Sequence, residues 1–234
     1  MIQLSSETGT DVMFVPFVIY VIIENMHEFL LGTDKSKFNK KMTEFLKSTR
    51  KELDDFYNVN IQQPSIFFID SRKEVDKIWK RKTEEWFSAW AKDGNIYILN
   101  PEIYTKESNH KDIKHFWQSL KHEYCHLYYR KIIVVGYPKW LNEGLANYLA
   151  GQVKKKPTKA EALRVFDYYD KSDWQIYNIG YFWTKLLIEK FGKKKLLTLI
   201  KSIGSQTTEK EFVQKFHQIY KFHYSKTDFK KILG

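Results

Sequence analysis

Two histidines and a glutamate stand out in this sequence because their spacing suits a metal ion. His122, Glu123 and His126 form a His-Glu-x-x-His motif inside a pattern typical of an amphipathic helix. A helix has about 3.6 residues per turn, so side chains four positions apart project from one face and both imidazoles can bind the same ion. The Glu123 carboxylate lies where it can reach a water on the metal without being a ligand. Glu143, seventeen residues after His126, is the candidate third ligand.

This ligand set predicts a catalytic site that holds one zinc ion. Catalytic zinc sites are tetrahedral, with three protein ligands and a water, and two His with one Glu is a known combination. Zinc lowers the pKa of its water to about 7. Glu123 is then the general base, which accepts the water proton during attack and passes it to the leaving group. The predicted reaction is hydrolysis of an amide or ester bond.

The residues around these ligands resemble those of a known family. His122-Glu-x-x-His126 followed by Trp140-Leu-Asn-Glu-Gly-Leu-Ala146 is similar to the gluzincin metallopeptidases, especially their peptidase MA-like and aminopeptidase N-like branch. The spacing from His126 to the second Glu is slightly shorter than is usual there. The resemblance implies a zincin-like fold, a zinc site completed by that Glu, and peptide-bond hydrolysis.

A third segment, residues 177–182, resembles the family's Tyr-x-x-Gly before a long helix. The resemblance implies that Tyr177 donates its hydroxyl to the oxyanion of the tetrahedral intermediate, with Tyr181, one turn later, as the substitute. A packing role is the alternative for this tyrosine. Asn147 lies on the same helix face as Glu143 and is a candidate to orient a zinc-binding histidine, or else a surface or capping residue.

One feature of that family is absent. The aminopeptidase N-like enzymes bind the amino terminus of their substrate with a Glu on the strand before the zinc helix, and residues 90–99 contain no Glu here. The sequence therefore predicts an endopeptidase that acts on a peptide or protein. Its substrate is expected to lie extended along the strand Asn95 to Leu99.

Two other functions are compatible with the motif. A catalytically inactive metal-binding interaction protein would keep the fold, but Glu123 argues against it because zinc binding does not require this residue. A nucleic-acid-associated SprT-like protease would explain the net charge of +11. It usually takes its third ligand from a His, and none follows at a suitable distance. The lysines are scattered over helix patterns and polar turns, which is typical of a solvated surface rather than of a nucleic-acid site.

The helices and strands predicted around these residues indicate an α+β fold. The apolar run from Val12 to Ile23 is too short to span a bilayer, which takes about 20 residues, and is predicted to be a buried strand, with a processed leader as the alternative. Further strands are predicted at Pro64 to Asp70 and Asn95 to Asn100, and the aromatic stretch Glu85 to Lys92 is predicted to be irregular. Helices are predicted at Asp34 to Phe56, begun by Thr33 or Asp34 as cap, and at Ser71 to Lys82.

The zinc helix is predicted at Lys111 to Arg130, and Glu143 on a second helix that begins at Pro138. The remainder is predicted to be helical, at about Lys159 to Tyr169, Tyr177 to Phe191, Lys194 to Ile203, Glu209 to Tyr220 and Lys226 to Leu233. We expect two sub-domains, 1–130 with the small sheet and the zinc helix and 131–234 with helices, and an active cleft between them.

Cysteine content and hydrophobic composition limit the kinds of site and fold that the chain can form. The single cysteine, Cys125, excludes an intramolecular disulfide and a four-cysteine zinc site, and is predicted to be a small core residue. No transmembrane segment is predicted, and a cytoplasmic location is expected. The 234 residues, 43% of them hydrophobic, are enough for a substantial core.

Overall fold

A computed structural model describes residues 20–23, 26–29, 35–133 and 136–234 of the protein, with side chains from residue 38 onward. The chain divides into two compact units, residues 1–43 and 44–234. In the first unit, β1 (Tyr20–Ile23) pairs antiparallel with β2 (Met26–Phe29). The strand predicted at Val12 to Ile23 is therefore confirmed for its last four residues. Residues 12–19 and the predicted cap at Thr33 or Asp34 lie outside the described residues.

The second unit contains a three-stranded mixed sheet. Its strands are β3 (Ile66–Ile69), β4 (Ala89–Lys92) and β5 (Asn95–Leu99), in the order β3-β5-β4. β5 is parallel to β3 and antiparallel to β4. Asp93 and Gly94, both with positive φ, form the two-residue turn of the β4–β5 hairpin.

Two predictions about this sheet are wrong. The stretch Glu85 to Lys92 is not irregular throughout, because its last four residues form β4. β5 is the central strand, so both of its edges are already paired, and no substrate can lie along it as predicted. Propensity could not reveal β4, because a four-residue strand with two alanines forms only through its pairing with β5.

Most helices agree with the predicted segments within a few residues; the short helix at Pro101–Tyr104 was not predicted, and the segment predicted at Lys159 to Tyr169 is α-helical only at Lys159–Ala162. They are α1 (Lys35–Tyr57), α2 (Arg72–Trp79), α3 (Pro101–Tyr104), α4 (Lys114–Ile132), α5 (Lys139–Leu149), α6 (Lys159–Ala162), α7 (Ile176–Phe191), α8 (Lys193–Ser202), α9 (Glu209–Tyr220) and α10 (Lys226–Leu233). Beyond α6 the chain continues as a 3₁₀ helix at Leu163–Asp167. A small sheet followed mostly by helices confirms the α+β class. The division at residues 130 and 131 stays a prediction, and no described helix is long and apolar enough to cross a membrane.

The middle of α4 is enclosed by the rest of the second unit. Every residue from 122 to 129 is buried, which means that the helix is covered on all sides rather than on one apolar face. Cys125 is among them, as predicted for a small core residue. Because surrounding atoms fix its rotation and tilt, α4 holds the side chains of His122 and His126 in set positions.

α5 and α7 cross with their backbones in contact at Gly144 and Gly180. A Cβ atom on Gly144 would lie 2.3 Å from both the Gly180 carbonyl oxygen and the Thr184 hydroxyl, and one on Gly180 would lie 2.3 Å from the Trp140 carbonyl oxygen. Only glycine fits at either position. This contact fixes the relative position of the two helices.

Candidate metal centre

Three side chains from α4 and α5 converge on one point. The Nε2 atom of His122 lies 3.3 Å from one carboxylate oxygen of Glu143, and the Nε2 atom of His126 lies 3.7 Å from the other. One potential ligand atom from each of the three residues lies within 4.8 Å of the others. With zinc–ligand bonds of about 2.0–2.2 Å, tetrahedral ligands are about 3.3 Å apart, so the group can hold one metal ion.

Hydrogen bonding around His126 leaves its Nε2 atom available to a cation. Its Nδ1 atom lies 2.8 Å from Oδ1 of Asn142, while the amide nitrogen of Asn142 donates to the Gly136 carbonyl oxygen. The network therefore assigns the proton to Nδ1 and the lone pair to Nε2. A proton or a metal cation on Nε2 is needed to balance the facing carboxylate of Glu143, and this donor set fits a metal.

The residue that orients a histidine is Asn142 rather than Asn147. Asn147 is completely buried and donates from its amide nitrogen to the Glu143 carbonyl oxygen, 2.7 Å away on the same helix. Asn142, one residue before Glu143, faces α4. Sequence spacing could not separate the two, because the choice depends on how α5 is rotated against α4.

The two carboxylates of the centre differ in their ionisation. Burial acts to raise the pKa of Glu143, but His126 and His122 outweigh it and lower the pKa to about 2. This carboxylate is ionised at neutral pH, as a metal ligand must be. For Glu123, burial dominates over the opposing effects of His126 and Arg130 and raises the pKa to about 7. A group with this pKa can both accept and release a proton near neutrality.

The contact between Gly144 and Gly180 brings Glu143 and Tyr177 to the same site. Glu143 directly precedes Gly144, and Tyr177 lies just under one turn before Gly180. The Tyr177 ring lies 6.5 Å from the His122 ring between centroids, and burial, followed by the two carboxylates, raises its pKa so that it stays protonated. Tyr181, the predicted substitute, packs against Tyr148 and does not line the cleft.

The three potential ligands lie in a cleft of about 530 Å³ with two different sides. We call the side formed by α4, α5 and α7 the helical wall. The opposite side, the aromatic wall, consists of β4 and the packed rings of Trp79, Trp86, Phe87 and Trp90. Phe87 and Trp90 stack at 5.6 Å between ring centroids, and Trp79 meets both of them edge-on. Trp86 reaches across to Tyr177 at 6.1 Å.

One edge of β4 faces α4 instead of a strand. Because the β4–β5 hairpin has a two-residue turn, the backbone groups of Ala89 and Ala91 point away from β5. Arg130 donates to the Ala91 carbonyl oxygen at 3.0 Å, and the backbone of Ala91 hydrogen-bonds with Glu123. No strand pairs with this edge within residues 35–133 and 136–234. The edge begins next to the general-base candidate.

Arg72 holds the loop that leads into β4. Its guanidinium donates to the backbone carbonyl oxygens of Glu84, Glu85 and Glu107 at 3.2, 3.1 and 2.8 Å, and also to that of Phe87. Five donors in a rigid planar group suit several carbonyls at once. No sequence pattern identified this residue, because its partners lie 12 to 35 positions away.

No protein-family description matches the chain, and no curated protein is similar to it in sequence. The candidate metal centre is supported by geometry: two histidines and a glutamate on two helices that could hold one ion.

Proposed function

We propose that this protein is a zinc-dependent endopeptidase of the gluzincin kind. The observation that carries the proposal is the convergence of His122, His126 and Glu143 beside Glu123, in a cleft with a β4 edge that pairs with no strand among the described residues. His122, His126 and Glu143 would hold the ion. When bound, zinc polarises the scissile carbonyl and lowers the pKa of water, which supplies hydroxide under mild conditions.

Glu123 is the proton carrier of the proposed reaction. Its enclosed carboxylate accepts a proton from the attacking water and gives it to the departing amine nitrogen. A pKa of about 7 suits both transfers. The hydrogen bond with the backbone of Ala91 orients the carboxylate toward the edge of β4.

Tyr177 stabilises the charge that develops on the carbonyl oxygen. Its hydroxyl remains protonated because burial raises its pKa, and it lies on the same side of the cleft as the potential ligands. A donor placed in advance at a developing oxyanion is worth about two to three orders of magnitude in rate.

The substrate lies extended against the outer edge of β4. The free N–H and carbonyl groups of Ala89 can pair with a peptide backbone, as in strand addition. Of the Asp and Glu residues described in the structure, only Glu123 and Glu143 line the cleft. Both have other roles, so none remains to bind a free amino terminus. This distribution supports cleavage within a chain rather than removal of amino-terminal residues.

Three variants test this function. Protein purified without chelator is expected to contain about one zinc per chain and to cleave members of a peptide library. Glu123→Gln is expected to keep the zinc and lose about 10²- to 10⁴-fold in rate, while Glu143→Ala loses zinc. Glu189→Gln, which changes an exposed carboxylate on α7, is the matched control and should behave as wild type.

Two results would contradict the proposal. One is a chain that binds no zinc after replenishment. The other is a Glu123→Gln variant that cleaves as fast as wild type, since the proton carrier would then lie elsewhere.

A further inference from the structure

A lysine lines the cleft beside the metal centre without a salt bridge. Lys154 lies on the segment after α5, and its ammonium group is 5.8 Å from the centre of the Tyr177 ring. Within the described part of the chain, no carboxylate lies within 4 Å of that group, and Glu143 is the acidic residue that interacts with it at longer range. A metal ion bound at the centre would neutralise the charge of Glu143. Lys154 would then lack a counter-charge.

The segment that carries Lys154 is held at both ends. At its start, Gln118 donates to the Gly151 carbonyl oxygen at 2.7 Å and the N–H of Gln152 donates to the Asn147 carbonyl oxygen. At its end, Thr158 forms a capping box at the beginning of α6. The position of the lysine in the cleft therefore follows from anchored backbone.

The exposure of side chains along this segment alternates. Gln152 and Lys154 are half-buried and line the cleft, whereas Val153 and Lys155 are exposed. This alternation is what an extended backbone produces. Of two adjacent lysines, the anchored and extended backbone thus directs Lys154 into the cleft and Lys155 toward solvent.

We propose that Lys154 binds a carboxylate of the substrate, next to the scissile bond. The inference rests on the proposed peptidase function and adds a substrate class to it. The ammonium group of Lys154 is 5.8 Å from the centre of the Tyr177 ring, and that centre is 6.5 Å from the centre of the His122 ring. The bound carboxylate of the substrate therefore belongs to a residue within one or two positions of the cleaved bond. An acidic side chain and a free carboxyl terminus both supply this group.

The test uses matched peptides that differ in charge alone. The first pair carries Glu or Gln at each position beside the cleaved bond, and the second has a free or an amidated carboxyl terminus. Wild type is expected to cleave the charged member about tenfold or more faster in kcat/KM, the range of one charge-assisted hydrogen bond. Selectivity in the first pair assigns an acidic side chain and in the second the carboxyl terminus, and either supports the inference. Selectivity in the second pair alone would replace cleavage within a chain by removal of carboxy-terminal residues.

Variants at two lysines locate the effect. Lys154→Met is expected to abolish the preference for the charged peptide. The rate of cleavage of the charged peptide should fall, while that of the neutral peptide stays within about twofold of the wild-type rate. Lys154→Arg should keep most of the preference, because it retains the charge. Lys155→Met, the same change on the adjacent exposed side chain, should leave the preference intact. All four proteins should contain the same amount of zinc.

A binding measurement separates this inference from the proposed function. The dissociation constants of the same peptides are measured on zinc-loaded Glu123→Gln, with and without Lys154→Met. If wild type cleaves no peptide, the peptidase proposal fails, and the dissociation constants still decide the role of Lys154. Equal affinities for the charged and neutral peptides, or a preference that survives Lys154→Met, would overturn the inference.

Discussion

The helical wall and the aromatic wall of the cleft are held in place by different contacts. The helical wall depends on direct packing: α4 is enclosed, and α5 touches α7 where two glycines leave no room for a side chain. The aromatic wall depends on hydrogen bonds from Arg72 to backbone carbonyls and on stacked rings. Two of those rings, Trp79 and Trp86, are more than 40% exposed.

This difference separates two requirements of the proposed enzyme. Ligand atoms must stay within a few tenths of an ångström of their geometry, which close packing achieves. A wall that receives different peptides benefits from exposed aromatic surface and an open strand edge. The comparison predicts that changes to the helical wall remove metal binding or catalysis, and that changes to the aromatic wall leave the metal in place.

The largest effect is expected from Gly144→Ala. The added methyl group would overlap backbone atoms of Gly180, which cannot move without separating α5 from α7. We expect a loss of about 3 kcal/mol in the free energy of unfolding, together with loss of zinc and activity. Denaturant titration and metal analysis measure both. Gly204→Ala is the control: a Cβ there would have no neighbour closer than 3.8 Å, and its stability should be nearly unchanged.

The second effect is expected from Tyr177→Phe. It removes one hydroxyl without changing the packing of the ring, so kcat should fall about 10²- to 10³-fold while zinc content and stability remain close to wild type. Tyr181→Phe, one turn along the same helix, should retain full activity. Equal losses in both variants would show that Tyr177 has no special role.

A smaller effect is expected from Asn142→Ala. This change removes the oxygen that orients His126, and loss of such a hydrogen bond to a metal-ligating histidine weakens metal binding about 10- to 100-fold. Asn142→Asp retains an acceptor and should bind zinc better than Asn142→Ala in a competition titration. If the alanine variant binds zinc as tightly as wild type, the hydrogen bond does not hold the ring.

The smallest effect on the metal centre is expected from Arg72→Lys. A single ammonium group cannot reach carbonyl oxygens on both sides of the loop, so the free energy of unfolding should fall by about 1–2 kcal/mol. Zinc affinity should stay within twofold of wild type. Loss of zinc in this variant would show that the two walls depend on one another. Lys73→Arg, on the adjacent residue of α2, is the control for helix content.

The sequence by itself determined the local geometry of the centre. His122 and His126 share a helix face because they are four residues apart, and the apolar periodicity located α4, α5 and α7 to within a few residues. Both are properties of a single helix, which depend on neighbouring residues alone. Glu143 was a candidate from its position after the histidine motif and Tyr177 through resemblance, and the structure places both beside the histidines.

Only the tertiary structure decided the features that depend on how elements meet. It gave Asn142 rather than Asn147 the contact with His126, gave β4 rather than β5 an edge that no described strand pairs with, and directed Lys154 rather than Lys155 into the cleft. Each choice is between near neighbours of similar chemistry. The rotation of a helix, the order of strands and the anchoring of a segment decide between them, and these follow from packing between residues far apart in the chain.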